Sequence, residues 1–279
     1  MTNDRFHLLP ELSADTETDF GTRMLQGSYV TMATALLADT PIFFGPNSAG
    51  RAAVNILANR ILAAGAEPRY MTATLTADCD TPAEAVNEAY GALKNAAVQA
   101  EMELAAVSCR VLDPGPASGL AVSVSGIGIP VCRLDGGCMK PGDSIIITGS
   151  VGALGAAIES RRKGVMPLFR GDGATLTDGV RALLQAVPEV RMMWLPADGL
   201  RRGLRMIERY GKVSVDETKV PAAEDVRTAC ELAGVDPMDM SCADVLIAVV
   251  PGEKCDEALK ALRRSAYCSE AAVIGSIVE

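Results

Sequence analysis

The chain has 279 residues, of which 49% are hydrophobic and only 4% aromatic, and its formal net charge at pH 7 is −9. This length allows two domains of about 100–150 residues each. Small aliphatic side chains must form most of the core, which suits layered α/β or α+β folds. The negative charge disfavours binding to nucleic acids and to anionic membranes. We therefore expect neither as a partner.

Cysteine usage points to a reducing compartment. The chain has eight cysteines but no CxxC pair, and its single histidine is His7. A zinc site would therefore need several scattered thiolates, and none is predicted. Residues 1–20 are polar and acidic, unlike a signal peptide, and no apolar run approaches the roughly 20 residues of a membrane helix. We expect a cytoplasmic protein with reduced, mostly buried thiols.

The first half is predicted to form an α+β layer. Residues 1–28 read as an irregular arm. Residues 29–44 favour two short strands joined by a turn near 39–41, and the turn GPNSAG leads into a helix over 51–64 that ends at Gly65 in a left-handed conformation. The remaining predicted elements are a strand at 69–77, a helix at 81–101, and strands at 104–112 and 120–131. Together they indicate helices on one face of a sheet.

Two local signals refine this reading of the first half. Thr81, Pro82 and Glu84 have the spacing of a capping box, with Thr81 as the N-cap of the second helix. The Gly- and Pro-rich residues 134–142 are the best candidate for a linker.

The second half alternates strands and helices. The predicted strands are 144–148, 192–195, 212–215, 241–250 and 271–278, and the predicted helices are 176–186, 198–210, 222–233 and 253–264. Between the first strand and a further helix lies a loop with Gly149, Gly152 and Gly155. Free N–H groups of such a loop bind anions well, so these glycines are candidate phosphate ligands. Tight backbone packing is the alternative that the same glycines allow.

Several segments resemble one family in the right order. KPGDSIIITGSVGALGAAI, at 140–158, resembles the strand–loop–helix that opens the C-terminal domain of the aminoimidazole ribonucleotide synthetase (PurM-like) superfamily. Residues 220–279 resemble the closing segment of its hydrogenase maturation branch, the HypE type. ADGLRRGL resembles the family's Asp-Pro-Thr-Arg-Gly-Gly-Leu loop and keeps Asp198 and Arg201. GRAAVNILANRILAAGAEP matches the family's first helix and keeps Asn59.

The resemblance covers about 29–279 and implies a two-domain α+β fold. An arm at 1–28 would precede a dimerising α+β domain at 29–137 and an α/β-layered domain at 138–279. ATP would lie in a cleft lined by both domains, with its phosphates bridged by magnesium. The family phosphorylates an amide or acid-like oxygen, or selenide, and the HypE branch carries a thiocarbamoyl group on a C-terminal cysteine.

This chain departs from the family at the acidic positions. The expected carboxylates fall on or near Ala35, on Ser48, on the second residue of the pair Asn59-Arg60, and within Ser108-Cys109-Arg110. Magnesium usually needs one or two carboxylates besides phosphate, and a guanidinium at about 4 Å repels a divalent ion by about 8 kcal/mol at an effective dielectric near 20. We therefore expect no magnesium-assisted phosphoryl transfer. Because the sequence reads to Glu279, we also expect no cysteine tail.

Three hypotheses follow from these departures. In the first, the protein is a dimeric, maturation-related factor that binds a protein partner or ligand without catalysis. In the second, Arg51, Arg60 and Arg110 contact the phosphates of a nucleotide such as ATP directly, without metal, because guanidinium binds phosphate through two hydrogen bonds. Surface ion pairs are the alternative for each arginine.

In the third hypothesis the protein is an enzyme with a rearranged site. Its candidate groups are Asp78, Asp80, Asp198 and Cys109, because Arg110 beside Cys109 favours the thiolate. Burial is the alternative fate of that cysteine. The full set of candidate ligand-binding residues is Ser48, Arg51, Asn59, Arg60, Cys109, Arg110, Gly149, Gly152, Gly155, Asp198 and Arg201.

Overall fold

The computed structural model describes residues 20–25, 28–38, 48–113 and 119–279. Its strands are β1 (Phe20–Leu25), β2 (Ser28–Leu37), β3 (Ala66–Asp78), β4 (Glu103–Leu112), β5 (Leu120–Pro130), β6 (Ser144–Ile147), β7 (Met192–Trp194), β8 (Lys212–Val215), β9 (Ile247–Val250) and β10 (Ala272–Val278). Its α-helices are α1 (Ala49–Ala63), α2 (Ala83–Gln99), α3 (Ala153–Arg162), α4 (Thr177–Ala186), α5 (Leu200–Ile207), α6 (Glu224–Ala233) and α7 (Cys255–Leu262). None of these helices combines the length and apolar character that crossing a bilayer requires.

The first sheet carries its helices on one face. Its strand order is β1-β2-β5-β3-β4, antiparallel except for the parallel pair β3–β4. Along β2, Ala33 and Ala35 are buried while Met32 and Thr34 are exposed, as the period of two in a strand requires. The buried face packs against α1, which in turn packs against α2. The predicted α+β layer is confirmed.

The second sheet is covered on both faces. Its order is β7-β9-β6-β10-β8, and every pairing is antiparallel. Ile146 and Ala248 point into a core that contains α1, α4 and α7, whereas Ile145 and Ile247 point into a second core that contains α5. The central strands suit this double cover because they are short and mostly aliphatic, with the sequences SIII in β6 and IAVV in β9. The first of the two cores is continuous with that of the first sheet.

Helix α1 joins the two halves. Thirteen of its fifteen residues are buried, and it packs against β2, β5, α4 and β7. Small residues make this possible: a Cβ at Gly50 would overlap the carbonyl oxygen of Ala89 in α2. The helix ends as predicted, because Gly65 adopts the left-handed conformation with φ of 75°.

The structure corrects the sequence reading at several places. Residues 20–25 form strand β1, paired with β2, where an irregular arm was predicted. Thr81 does not cap α2: its hydroxyl donates to Asp78 Oδ1 at 2.6 Å, and Pro82 is the N-cap residue, so no capping box forms. Helix α5 is shorter than predicted, and β9 begins at Ile247. The predicted turn near 39–41 and the strand after it lie outside the described residues.

Candidate functional site

One face of α1 is directed at the second half of the chain. Arg51, Asn55 and Asn59 follow each other at intervals of four, so they lie on one side of the helix. Asn55, which is 1% exposed, donates through Nδ2 to the backbone oxygen of Asp172 at 2.9 Å. This face therefore meets the loop between α3 and α4.

Asn59 holds that loop through backbone groups. Its Nδ2 donates to Ala174 O at 2.9 Å and to Ala243 O at 2.8 Å, and its Oδ1 accepts from Leu176 N at 2.9 Å. The side chain is fully buried. Both hydrogens of the side-chain amide are thus donated to backbone oxygens of the protein itself, so Asn59 holds these segments together. A role of Asn59 in ligand binding stays a prediction.

Asp172 is the centre of this junction. Its carboxylate is fully buried and accepts from Ser48 N and Arg51 Nη1, both at 2.9 Å, and from Arg170 Nε and Nη2 at 3.4 Å. Burial raises the pKa of Asp172, and the two guanidinium groups only partly oppose that shift. Two residues of the predicted site, Ser48 and Arg51, are thus engaged with a carboxylate of the same chain.

A second carboxylate lies close to the first. Asp244 is half-buried, and desolvation, followed by smaller effects that include the charge of Asp172, raises its pKa to about 6. It borders a cleft of about 390 Å³ together with Gly149, Ser150 and Arg170. Among the predicted glycines Gly149 lines this cleft. The hydroxyl oxygen of Ser150 is buried there without a hydrogen-bond partner among the described residues.

The other two glycines of the loop serve packing. A Cβ at Gly152 would lie 2.6 Å from Pro237 O, and a Cβ at Gly155 would lie 2.6 Å from Ser241 N. Their amides are also occupied: Gly152 N donates to Cys242 Sγ at 3.3 Å and Gly155 N to Ser241 O at 3.0 Å. The geometry favours the packing alternative over a phosphate cradle for both residues.

Arg60 lies on the other side of α1. It follows Arg51 by nine positions, which is about half a turn around the helix axis. Its Nη1 donates to Thr34 O at 2.5 Å, next to Ala35. Ser48 lies 12 positions earlier, about 18 Å along the helix. The acidic positions expected at 48 and 60 are therefore at opposite ends of α1, not in one cluster.

Cys109 and Arg110 lie on β4, at the outer edge of the first sheet. Three strand spacings separate β4 from β2, about 14 Å. Within one chain Arg60 and Arg110 therefore do not meet. Both residues of β4 are exposed, and consecutive side chains of a strand point to opposite faces, so the guanidinium of Arg110 is not directed at the Cys109 thiol.

The acids near the end of β3 hold a loop. Asp78 accepts from the Thr81 hydroxyl and from Gly119 N, both at 2.6 Å, and the first of these bonds lowers its pKa most. Asp80 is exposed, with the Cys79 thiol 3.9 Å away. These contacts fix the connection between β3 and α2, and a catalytic role for either acid stays a prediction.

Asp198 and Arg201 lie at the start of α5, and each has different neighbours. Arg201 is surrounded by acids, which raise its pKa. It donates to the carboxylates of three residues: Asp239 at 2.7 Å, Asp236 at 2.9 Å and Glu217 at 3.1 Å. Asp198 is 63% exposed and lies 3.8 Å from Arg202 Nε. Arg201 therefore stabilises the surrounding loops, while Asp198 faces solvent.

The sequence reading missed the centre of the junction. Asp172, Asp244 and Asn55 were not among the candidates, although Arg170-Gly-Asp-Gly173 is a charged loop between apolar segments. The two acids lie near each other only in the fold. Across the described ranges, no group of three or more His, Cys, Asp or Glu side chains is arranged to hold a metal ion.

Comparison with family models identifies both halves. Residues 19–130 match the model of the AIR synthase related protein N-terminal domain, and residues 140–279 match that of the C-terminal domain. The chain belongs to the AIR synthase related family. Carbamoyl dehydratase HypE of Azotobacter vinelandii is 32% identical over 256 residues, covering 89% of this chain and 75% of that protein. HypE of Cupriavidus necator is 30% identical, covering 92% and 75%.

Solved structures of the family agree with this assignment. A hydrogenase maturation protein HypE in complex with ATP superposes with a TM-score of 0.85 at 27% identity, covering 97% of this chain and 84% of that one. Thiamine monophosphate kinase of Aquifex aeolicus, at 17% identity, shares the fold with a TM-score of 0.76, covering 100% and 96%. The predicted two-domain PurM-like α+β fold is therefore confirmed.

Proposed function

We propose that this AIR synthase related protein is a HypE-like, dimeric binding or maturation-related factor that lacks magnesium-dependent phosphoryl transfer. Its relatives are carbamoyl dehydratases, and one HypE structure contains ATP. The observation that carries the proposal is the position of Arg60.

Arg60 brings a positive charge to the place where the family resemblance requires a negative one. Its guanidinium bonds to Thr34 O, beside Ala35, so two positions expected to be acidic are adjacent in space and neither has a carboxylate. A divalent ion at about 4 Å from that group would be repelled by about 8 kcal/mol at an effective dielectric near 20. With no carboxylate at either position, this repulsion weakens magnesium binding there relative to a site that has the family's acids.

The junction supports a stable scaffold for binding. Asn55, Asn59 and Arg51 connect α1 to the second half through buried and part-buried hydrogen bonds within the chain. These contacts hold the two halves together, as a binding factor requires.

An exposed apolar row supports the homodimer. On the face of the first sheet opposite α1, Met32, Ile127 and Tyr70 are register neighbours across β2, β5 and β3, and they are 50%, 38% and 50% exposed. Uncovered apolar rows of this kind mark interaction surfaces. A relative of known structure was crystallised as a HypE–HypF complex, so a protein partner is the other occupant consistent with the family. Light scattering after size exclusion tests the dimer, which a monomer would contradict.

The metal-independent nucleotide site remains the second candidate, with Arg60 rather than the pair of Arg60 and Arg110 at its centre. The distance between β2 and β4 excludes that pair within one chain.

Phosphate release and ATP titration test both candidates. We expect no phosphate release above background with ATP and magnesium, measured beside HypE of Azotobacter vinelandii as a positive control. Turnover comparable to that control would contradict the proposal. ATP binding that is indifferent to magnesium and lost in Arg60→Ala would favour the second candidate.

A further inference from the structure

A cleft beside α5 contains arginines that none of the three hypotheses uses. It has a volume of about 400 Å³ and lies between the helix and residues 194–199. Its charged lining is arginine-rich: Arg202 and Arg205 on the helix and Arg209 in the turn that follows. We call it the α5 cleft.

The helix presents these arginines on one side. The positions 202, 205 and 209 fall within about 60° of each other around the axis, given 100° per residue. The opposite side, with Leu200, Leu204 and Ile207, is buried in the core. The three guanidinium-bearing residues are exposed and border the same space. Packing of the helix thus fixes the direction in which they point.

Few acids line this cleft. Of the described residues that line the cleft, Asp198 is the one acid, and it lies 3.8 Å from Arg202 Nε. Arg205 makes no ion pair with described residues. The neighbouring Arg201, by contrast, contacts three carboxylates. In a chain of net charge −9, a concentration of positive charge in a concave site is a departure from the average surface.

The shape of the cleft is built into the backbone. A Cβ at Gly203 would lie 2.8 Å from the Pro196 side chain, so the glycine lets α5 approach the opposite wall. Gly199 turns the chain at φ of 105°. Trp194 also lines the cleft and adds an aromatic surface to it.

We propose that the α5 cleft binds a ligand that carries a diphosphate group, with Arg202 and Arg205 as the binding residues. Their Cα atoms are separated by a rise of about 4.5 Å along the helix, so two guanidinium groups reach adjacent phosphoryl groups. Tetrahedral phosphoryl groups offer acceptor oxygens in several directions, which suits donors on more than one side. This site is independent of the magnesium chemistry discussed above.

Calorimetric titration with inorganic pyrophosphate tests the assignment. We expect binding to the wild type, with a dissociation constant that rises at least tenfold in Arg202→Ala and in Arg205→Ala. Arg264→Ala removes one exposed positive charge elsewhere and is the matched control, with a change of less than twofold expected. Equal weakening in Arg205→Ala and Arg264→Ala would overturn the proposal, as would the absence of pyrophosphate binding.

A change in the opposite direction sharpens the test. Asp198→Asn removes the acid that lines the cleft, so pyrophosphate is expected to bind severalfold more tightly. A folding defect would not produce tighter binding. Citrate that binds as tightly as pyrophosphate would contradict the assignment to phosphate. Loss of binding in Arg60→Ala with Arg205→Ala unaffected would place the site at Arg60 and overturn the proposal without bearing on phosphate release.

Discussion

The ion pair between Arg51 and Asp172 links the two halves of the chain. The loss of unfolding free energy when it is removed measures the strength of that link. Arg51→Ala removes a donor at 2.9 Å from a carboxylate with no solvent exposure. Deleting one partner of a buried pair costs about 3–5 kcal/mol. Because Ser48 N and Arg170 still contact Asp172, we expect the lower end, about 3 kcal/mol. Arg170→Ala is the control: its side chain is 57% exposed and its Nε lies 3.4 Å from Asp172 Oδ1, so a loss of about 1 kcal/mol or less is expected.

Urea unfolding followed by the fluorescence of Trp194, the single tryptophan, measures both losses. The pH dependence gives an independent check. The pKa of Asp172 is already raised in the folded state, so its contribution to stability is present at low pH and is lost as pH rises. Removing Arg51 raises that pKa further, which makes the variant's deficit larger at pH 7 than at pH 4. Equal costs for Arg51→Ala and Arg170→Ala, or a deficit that shrinks toward pH 7, would refute the reasoning.

Three further predictions concern the same junction and α1. The pKa of Asp244 is raised from 3.8 to about 6, so its charged form destabilises the fold as pH rises through this range. Asp244→Asn should therefore raise the free energy of unfolding by about 2–3 kcal/mol at pH 7 and by little at pH 4, as measured by urea unfolding at both pH values. Asn59→Ala removes the partner of three backbone groups, two of them through buried hydrogen bonds, and should lose about 3–6 kcal/mol by the same assay. Asn55→Ala removes the partner of one backbone group and should lose less. Gly50→Ala should lower the stability by about 1–3 kcal/mol through overpacking. Gly91→Ala is the control and should not lower it, because a Cβ at Gly91 meets nothing within 4 Å. Thermal melts compare the two variants.

The elements of this fold were readable from the sequence because they depend on local patterns. The strand at 212–215 was predicted with its observed bounds, and Gly65 was placed correctly at the end of α1. Local patterns failed where tertiary partners competed for a side chain. Thr81 has the sequence of a cap, but its hydroxyl bonds to Asp78 instead.

The candidate site was less readable because it depends on strand order. Nothing in the sequence says that β5 enters between β2 and β3, which leaves Arg110 at the far edge from Arg60. Ser48 N and Asp172 Oδ2 are bonded across 124 positions, so a carboxylate at the junction cannot be inferred from either neighbourhood alone. The helix that carries the arginines of α5 was predicted from the sequence, but the cleft beside it depends on the packing of residues 194–199 against that helix.

The core shared by both sheets has a consequence for folding. Ile146 of β6 and Ala248 of β9 belong to the same hydrophobic cluster as the buried residues of α1. Cutting the chain in the 134–142 segment would therefore expose a large aliphatic surface on each fragment. We expect the intact protein to melt in one calorimetric transition and the separate halves to aggregate when expressed alone. A ligand bound in either half would then raise the melting temperature of the whole molecule.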